Sequence, residues 1–423
     1  MNTVLHSQRV GSGALHRSSH EPVGWSAKRF RLGPNYSGQR VSWVETLHRN
    51  SWYSVGDEVC LRLQCSRPNI SSAASSVEYS SVQTEIQYSI QSRVEVTQSS
   101  LKQEGSSSKT QQSTYGPSAH VTATGRVVAI GDIHGDIQKL LDCLKISGLI
   151  REDDHGIRWI GGDATVVQLG DVLDRGDAEI STILLLRELD KQARQDGGAV
   201  HMLNGNHESL NVAGDFRYVT PGAFWESAMA AGLGEDDALR SKEAILQARW
   251  ALYRPGGVMA KELSRNPTVL IVNNEIVFAH GGLLPHHVKY GVQRINDEVA
   301  KWMKGADCTD GSAPSPPFTA MGDSNSVMWN RTFGKERCSP YDRIQMKRQL
   351  DATLQQLGAK AMVVGHTPQM TGLNAECNGR IWRVDVGMSS GVLNAEAQVL
   401  EFSKDESGNL QASLLTPDFT PYL

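Results

Sequence analysis

Gly131-Asp132-Ile133-His134-Gly135, Gly170-Asp171-Val172-Leu173-Asp174-Arg175-Gly176-Asp177 and Gly205-Asn206-His207-Glu208 decide the fold. Each follows a short, mostly apolar run: Val127-Val128-Ala129-Ile130, Val166-Val167-Gln168-Leu169 and Val200-His201-Met202-Leu203. Runs of that length and β-propensity, stopped by glycine, read as buried strands. In a sheet of parallel strands, ligands gather at the carboxyl ends. The three stretches therefore converge on one edge and bring carboxylate, amide and imidazole donors together, as a dinuclear metal site requires.

Asp132 and His134 are two residues apart, so on extended backbone both side chains leave the same face. Gly131 and Gly135 allow the chain to turn sharply around an ion. Asp171 offers a carboxylate to bridge two metals, and Asn206 a neutral carbonyl oxygen. Two later histidines complete the set, His280 in Phe278-Ala279-His280-Gly281-Gly282 and His366 in Val364-Gly365-His366-Thr367-Pro368. They follow apolar strands expected over Ile271 to Ala279 and Lys360 to Val364. Mixed nitrogen and oxygen donors suit Mn, Fe or Zn better than Ca or Mg.

In chain order, these motifs resemble those of the PPP-family metallophosphatases. The wider match, including Gly214-Asp215-Phe216-Arg217-Tyr218 and Trp382 to Leu393, resembles the plant Shewanella-like protein phosphatases, most closely the chloroplast type, over roughly Val127 to Leu400. The resemblance implies a calcineurin-like α/β fold, a β-sandwich of two mixed sheets flanked by helices. It implies a first metal on Asp132, His134 and Asp171 and a second on Asp171, Asn206, His280 and His366, with Mn2+ expected and Fe or Zn as alternatives.

Two such ions acidify a shared water for in-line attack on phosphorus. Arg175 offers a bidentate fork for phosphate, and Arg331, in Met328-Trp329-Asn330-Arg331, is similar to the family's substrate arginine. His207, next to a ligand, is the expected general acid, with Asp174 orienting it. The implied substrate is a phosphoprotein carrying phosphoserine or phosphothreonine, with phosphotyrosine as a further candidate. The alternatives are a small-molecule phosphoesterase, such as a dinucleoside polyphosphate hydrolase, and a non-catalytic phosphoprotein-binding module. Regulatory subunits are not legible in the sequence.

Around this core, 423 residues with 39% hydrophobic content suffice for one large domain. No apolar run is long enough to span a membrane. Residues 1 to 122 carry 12 Lys+Arg against 8 Asp+Glu, and the remainder 30 against 38. The second part has no basic groove for a phosphate backbone, so nucleic acid is not an expected partner. Six cysteines without close paired spacing form neither a zinc pattern nor a dense disulfide framework. Cys143 falls on the apolar side of a helix.

Residues 1–50 hold seven Lys+Arg against Glu21 and Glu45 amid Ser, Gly and His. That composition suits an organellar transit peptide, for which the resemblance to the chloroplast type implies the chloroplast, the alternative being a disordered basic tail on a cytoplasmic protein. Residues 51–122, dominated by Ser, Gln and Thr, read as a low-complexity linker with weak alternation at 77–96. The catalytic domain is expected over 123–415 and a tail over 416–423. Ile137, Leu140, Leu141 and Leu144 predict a helix, as do Ile180 to Leu189, while Trp159 to Leu169 predicts a strand pair. Residues 215–262 predict two or three helices forming a cap over the catalytic edge. Further on, Pro285 to Lys304 predicts one helix, Gly305 to Asp323 a loop, Tyr341 to Leu357 a helix, and Arg380 to Leu415 antiparallel strands.

Overall fold

The computed structural model describes the backbone of residues 50–55 and 58–63 and, with side chains, residues 115–154, 156–234, 241–306 and 314–417. The transit segment and the alternation at 77–96 lie outside the described residues. β1 (Asn50–Val55) and β2 (Glu58–Leu63) form an antiparallel pair in a stretch expected to be linker.

Strands and helices then alternate: β3 (His120–Val121), β4 (Val127–Ile130), α1 (Ile137–Ile146), β5 (Ile150–Asp153), β6 (Gly156–Trp159), β7 (Thr165–Gln168), α2 (Glu179–Gln195), β8 (Ala199–Met202) and α3 (Asn206–Val212). The expected cap is helical, with α4 (Pro221–Ala230), α5 (Lys242–Tyr253) and α6 (Val258–Leu263). The chain continues through β9 (Val269–Val272), β10 (Ile276–Ala279), α7 (Pro285–Tyr290), α8 (Val292–Met303), α9 (Pro340–Leu357), β11 (Ala361–Val364), β12 (Asn374–Glu376), β13 (Ile381–Arg383), β14 (Val399–Lys404) and β15 (Leu410–Leu415). Among the described residues, no helix is long and apolar enough to cross a membrane.

Two mixed sheets form the sandwich. One has the order β15-β14-β4-β7-β8, with β4, β7 and β8 parallel; the other is β12-β13-β11-β10-β9-β3, with β10, β11 and β13 parallel. Alternation along the second sheet divides its faces. Leu270, Val272, Ile276, Phe278 and Val363 join Val128, Val166 and Val200 of the first sheet in one core. The intervening Val269, Ile271, Val277, Ala279, Met362 and Val364 pack with Leu284 of the loop before α7, Ile295 of α8 and Met346, Leu350 and Leu354 of α9 in another. A period of two thus fixes which face meets the partner sheet and which meets the helices.

Several expected elements are redrawn. The run from Ile271 to Ala279 is an antiparallel hairpin with a three-residue loop between the paired Val272 and Ile276, in which Asn273 and Asn274 both take positive φ and the Glu275 N–H donates to the Val272 carbonyl at 2.9 Å. Trp159 belongs to β6, which pairs with β5 and not with β7. The helix expected from Pro285 to Lys304 is two, broken at Gly291. The sandwich also begins before residue 123: β3 runs parallel to β9, and Lys304 Nζ donates to the Tyr115 carbonyl at 2.7 Å. Cys143 is buried as expected, and burial pushes its thiol up to about 12.

The sheets make close contact where β4 ends. A Cβ on Gly131 would collide with the backbone of Val384 and Asp385, the continuation of β13, and backbone cannot move aside as a flexible side chain can. Gly131→Ala is expected to cost roughly 1–3 kcal/mol by overpacking, read from chemical denaturation. A variant as stable as the parent would show that the sheets separate there without cost.

Candidate metal centre

Every strand that carries an expected ligand is one of the parallel strands. Asp132 and His134 follow β4, Asp171 follows β7, and Asn206 and His207 open α3 after β8. His280 follows β10 and His366 follows β11, so the two sheets contribute to one site. The ligand-bearing turns are not the extended backbone expected for Asp132 and His134. His134, Asp171 and His366 have φ of 48°, 52° and 67°, and Asp174 and Arg175 both have 67°. Non-glycine residues held in the left-handed region cost of order 1–3 kcal/mol each and persist where surrounding structure over-determines them.

Asp171 is the centre, with 2% of its surface exposed. Its Oδ2 faces three imidazole nitrogens: His280 Nε2 at 3.1 Å, His134 Nε2 at 3.8 Å and His207 Nε2 at 3.9 Å. Its Oδ1 accepts the His207 backbone N–H at 2.9 Å. Burial alone would raise this carboxyl, but His280 and His207 hold it well below the usual range. Two donor groups share it, His134 with Asp171 and His207, and Asp171 with His280 and His366, the donor atoms of each group within 4.8 Å of one another. Asn206 Oδ1 lies 3.0 Å from His280 Nε2.

Asp132 belongs to neither group. Its carboxylate accepts the His366 backbone N–H at 3.1 and 3.3 Å, lies 4.0 Å from His280 Nδ1 and hydrogen-bonds Asp385. Burial first, then Asp385 and Asp171, raises Asp132 well above the ordinary carboxyl value, and burial raises Asp385 to about 6.

The donors fit divalent cations. His134 Nδ1 donates to the Leu173 carbonyl at 3.0 Å and His280 Nδ1 to the Leu169 carbonyl at 2.8 Å, fixing tautomers that leave both Nε2 atoms facing Asp171. His366 Nε2 contacts the Trp329 carbonyl at 3.2 Å, leaving Nδ1 for the cluster. Burial lowers His134 to about 4 and His366 to about 2, so both present lone pairs at neutral pH. Asp171 supplies negative charge, and a cation beside it would offset the crowding that raises Asp132 and Asp385.

The other expected residues surround this centre. His207 Nδ1 donates to Asp174 Oδ2 at 2.5 Å, and its ring meets His134 and Tyr218 edge-on at 4.7 and 5.2 Å. Although burial lowers His207, Asp171 and Asp174 outweigh it and raise the imidazole. Arg175 and Arg331 are exposed. The Arg175 guanidinium stacks over Tyr218 at 5.1 Å, while Arg331 Nη1 donates to the His366 carbonyl at 3.0 Å and to Thr367 Oγ1 at 3.1 Å.

Glu208, at the end of the third motif, braces the centre without belonging to either donor group. Its carboxylate accepts four backbone amides: Gly205 and Asp171 on Oε2 at 2.7 and 2.8 Å, and Val172 and Leu173 on Oε1 at 2.9 and 3.1 Å. Its position three residues after Gly205, the N-cap of α3, was the available signal, that of an acid reaching back to the N-cap amide. Asp385 follows parallel strand β13 as the expected ligands follow theirs. His287 caps α7 and contacts the Asn325 carbonyl.

Residues 125–370 match the family model of the calcineurin-like phosphoesterases. Over 315 residues the chain is 38% identical to Shewanella-like protein phosphatase 2 of Arabidopsis thaliana, covering 68% of this chain and 78% of the relative. It is 32% identical over 282 residues to Shewanella-like protein phosphatase 1 of Plasmodium berghei (strain Anka), covering 66% and 72%. Among solved structures, the cold-active protein-tyrosine phosphatase of a psychrophilic Shewanella superposes with a TM-score of 0.52 at 24% identity, covering 73% of this chain and 87% of that one.

Because Glu208 holds the Asp171 turn through three amides and the start of α3 through a fourth, Glu208→Gln replaces one acceptor oxygen with a donor facing N–H groups. The expected result is a loss of metal affinity of roughly 10–100-fold, measured by competition with a chelator, with far-ultraviolet circular dichroism unchanged. Undiminished metal retention would show that the turn holds its shape without the clamp.

Proposed function

The chain belongs to the calcineurin-like phosphoesterases and, within them, to the Shewanella-like protein phosphatases; it is a metal-dependent protein phosphatase, and we propose how its residues divide the work. Asp132, His134 and Asp171 hold one divalent cation, and Asp171, Asn206, His280 and His366 hold the other, Mn2+ being the preferred occupant of both. When bound, such cations supply an acidified water and neutralise phosphoryl charge. The substrates are phosphoserine and phosphothreonine side chains, with phosphotyrosine as a further candidate.

The observation that carries this reading is the Asp171 carboxylate, shared by two donor groups and bordered by a hydrogen-bonded His207–Asp174 pair. His207 is kept for the leaving group because Asp174 already takes its Nδ1, which aims Nε2 toward the centre. There it donates a proton to the departing seryl or threonyl oxygen. Arg175 and Arg331, exposed at the rim, exchange water for phosphoryl oxygens and orient the ester. The buried surround excludes bulk water, which strengthens these charge contacts.

The first fifty residues are proposed as a transit segment directing the enzyme to the plastid, on their composition and on the resemblance of the catalytic part to the chloroplast type. A fluorescent fusion of residues 1–60 in leaf cells is expected to colocalise with chlorophyll; a diffuse cytoplasmic signal would refute that destination.

The activity test strips the full chain of metal and restores Mn2+ against p-nitrophenyl phosphate, phosphopeptides and a dinucleoside polyphosphate. Turnover on phosphopeptides is expected to return with metal and to be abolished in Asp171→Asn. His207→Asn is expected to keep its metal and to slow phosphopeptide turnover by about 10²–10⁴-fold. Preference for the dinucleoside polyphosphate would overturn the phosphoprotein reading, and an undiminished His207→Asn rate would overturn the acid.

A further inference from the structure

Arg249, on α5 of the cap, is fully buried, with both its guanidinium and its stem away from water. A guanidinium in that position is stable only if its N–H groups are met. Nη1 donates to Glu179 Oε2 at 2.7 Å and to Ser227 Oγ at 2.9 Å. Nε and Nη2 both donate to Asn211 Oδ1, at 3.0 and 2.6 Å. The group also lies over the rings of Tyr253, Phe216 and Phe224 at 4.6, 5.5 and 5.6 Å.

Two of these partners hold Asp174. Asn211 Nδ2 donates to Asp174 Oδ1 at 3.0 Å and to the His207 carbonyl at 2.9 Å, and Glu179 Oε1 accepts the Asp174 backbone N–H at 2.6 Å. Arg249 Nη2 itself lies 4.0 Å from Asp174 Oδ1. A second cap residue reinforces the attachment: Glu226, on α4, accepts the backbone amides of Glu179, Ile180 and Ser181 at 2.8 to 2.9 Å and the Ser181 hydroxyl at 2.6 Å. The cap therefore grips the start of α2 and the carboxylate behind His207.

We propose that Arg249 is a positioning residue for proton donation: through Asn211 and Glu179 it fixes the carboxylate of Asp174 and with it the tautomer and aim of His207. This rests on His207 being the acid. The Asp174–His207 contact is short and directional, so a shift of the carboxylate rotates the ring away from the leaving oxygen while the ligand-bearing turns stay in place. Three aromatic rings already pack around it, so a residue serving cap packing alone would not need a charge there; its polar contacts instead go to Asn211 and Glu179, which hold Asp174, and to Ser227.

Leaving-group dependence separates positioning from general destabilisation. A dinitrophenolate leaves without a proton, whereas phenolate leaves slowly unless protonated. The test measures kcat and KM of the full Mn2+-loaded chain and of His207→Asn, Arg249→Met and Arg249→Lys on dinitrophenyl, p-nitrophenyl and phenyl phosphate. His207→Asn is expected to lose about 10²-fold or more on phenyl phosphate and little on the dinitrophenyl ester. Arg249→Met is expected to follow the same pattern at roughly tenfold on phenyl phosphate with KM unchanged, and Arg249→Lys to fall between it and the parent.

An equal fractional loss on all three esters, or none, would overturn the inference while leaving the acid intact. A flat response in His207→Asn would instead remove the acid, and the positioning role with it. If Arg249→Met does not fold, Arg249→Lys decides the question, because an ammonium keeps the buried charge but cannot span Asn211 and Glu179 as a fork does; a parental leaving-group profile in that variant refutes the proposal.

Discussion

Asp171 imposes the constraint that the site satisfies: an ionised carboxylate with almost no water around it. Removing a carboxylate from water is costly unless charges and donors replace the solvent. Here His280 and His207 face one oxygen and lower its carboxyl, and the His207 backbone amide takes the other. Divalent cations extend the same compensation, so metal affinity and local folding are one balance of charge. The approach is so close that Gly205 leaves no room for a Cβ against the Asp171 carboxylate. Glu208 completes the enclosure by holding three amides of that turn and a fourth at the start of α3, so a second buried acid fixes the backbone that presents the first.

The sandwich makes this convergence available. A single parallel sheet would put its strand-end loops along one edge, but β4, β7 and β8 lie in one sheet and β10, β11 and β13 in the other. Donors therefore approach from two sides and can enclose an ion instead of lining a crevice. The consequence is backbone strain. Expected ligands that follow strands of two sheets must turn within a few residues of the strand ends, and His134, Asp171 and His366 do so through the left-handed region. Carbonyls of Leu169 and Leu173 hold two of the rings after those turns.

Much of this was legible locally, because an apolar run, a glycine and a donor are adjacent in sequence. The ligand-bearing strands, the helix after each of the first two motifs and the cap follow from such patterns. Errors arose where a local signal was outweighed. The apolar character of Ile271 to Ala279 hid the turn that Asn273-Asn274 announces. The glycines at 161 and 162 invited a hairpin across them, whereas Trp159 pairs back to Ile150. Other features are non-local: Asp132 shares a hydrogen bond with Asp385, and Arg249 meets Glu179 and Asn211, partners separated by 70 and 38 residues. No periodicity encodes such contacts.

The three arginines near the site show how environment decides what one side chain does. Arg175 and Arg331 are exposed, one on the face of Tyr218 and the other on the His366 carbonyl and the Thr367 hydroxyl. Each keeps N–H groups in water, which a phosphoryl group can replace at little cost in desolvation. Arg249 has no such exchange available, since its donors are committed to Glu179, Ser227 and Asn211. Breaking one of those contacts would leave a buried donor or a buried carboxylate unpaired, which costs several kcal/mol. A rim arginine can therefore respond to substrate, while a buried one holds its partners in one arrangement. The cap contributes that second kind of charge, and its attachment falls on the carboxylate behind His207, the proposed acid, where a change of angle would matter to proton transfer.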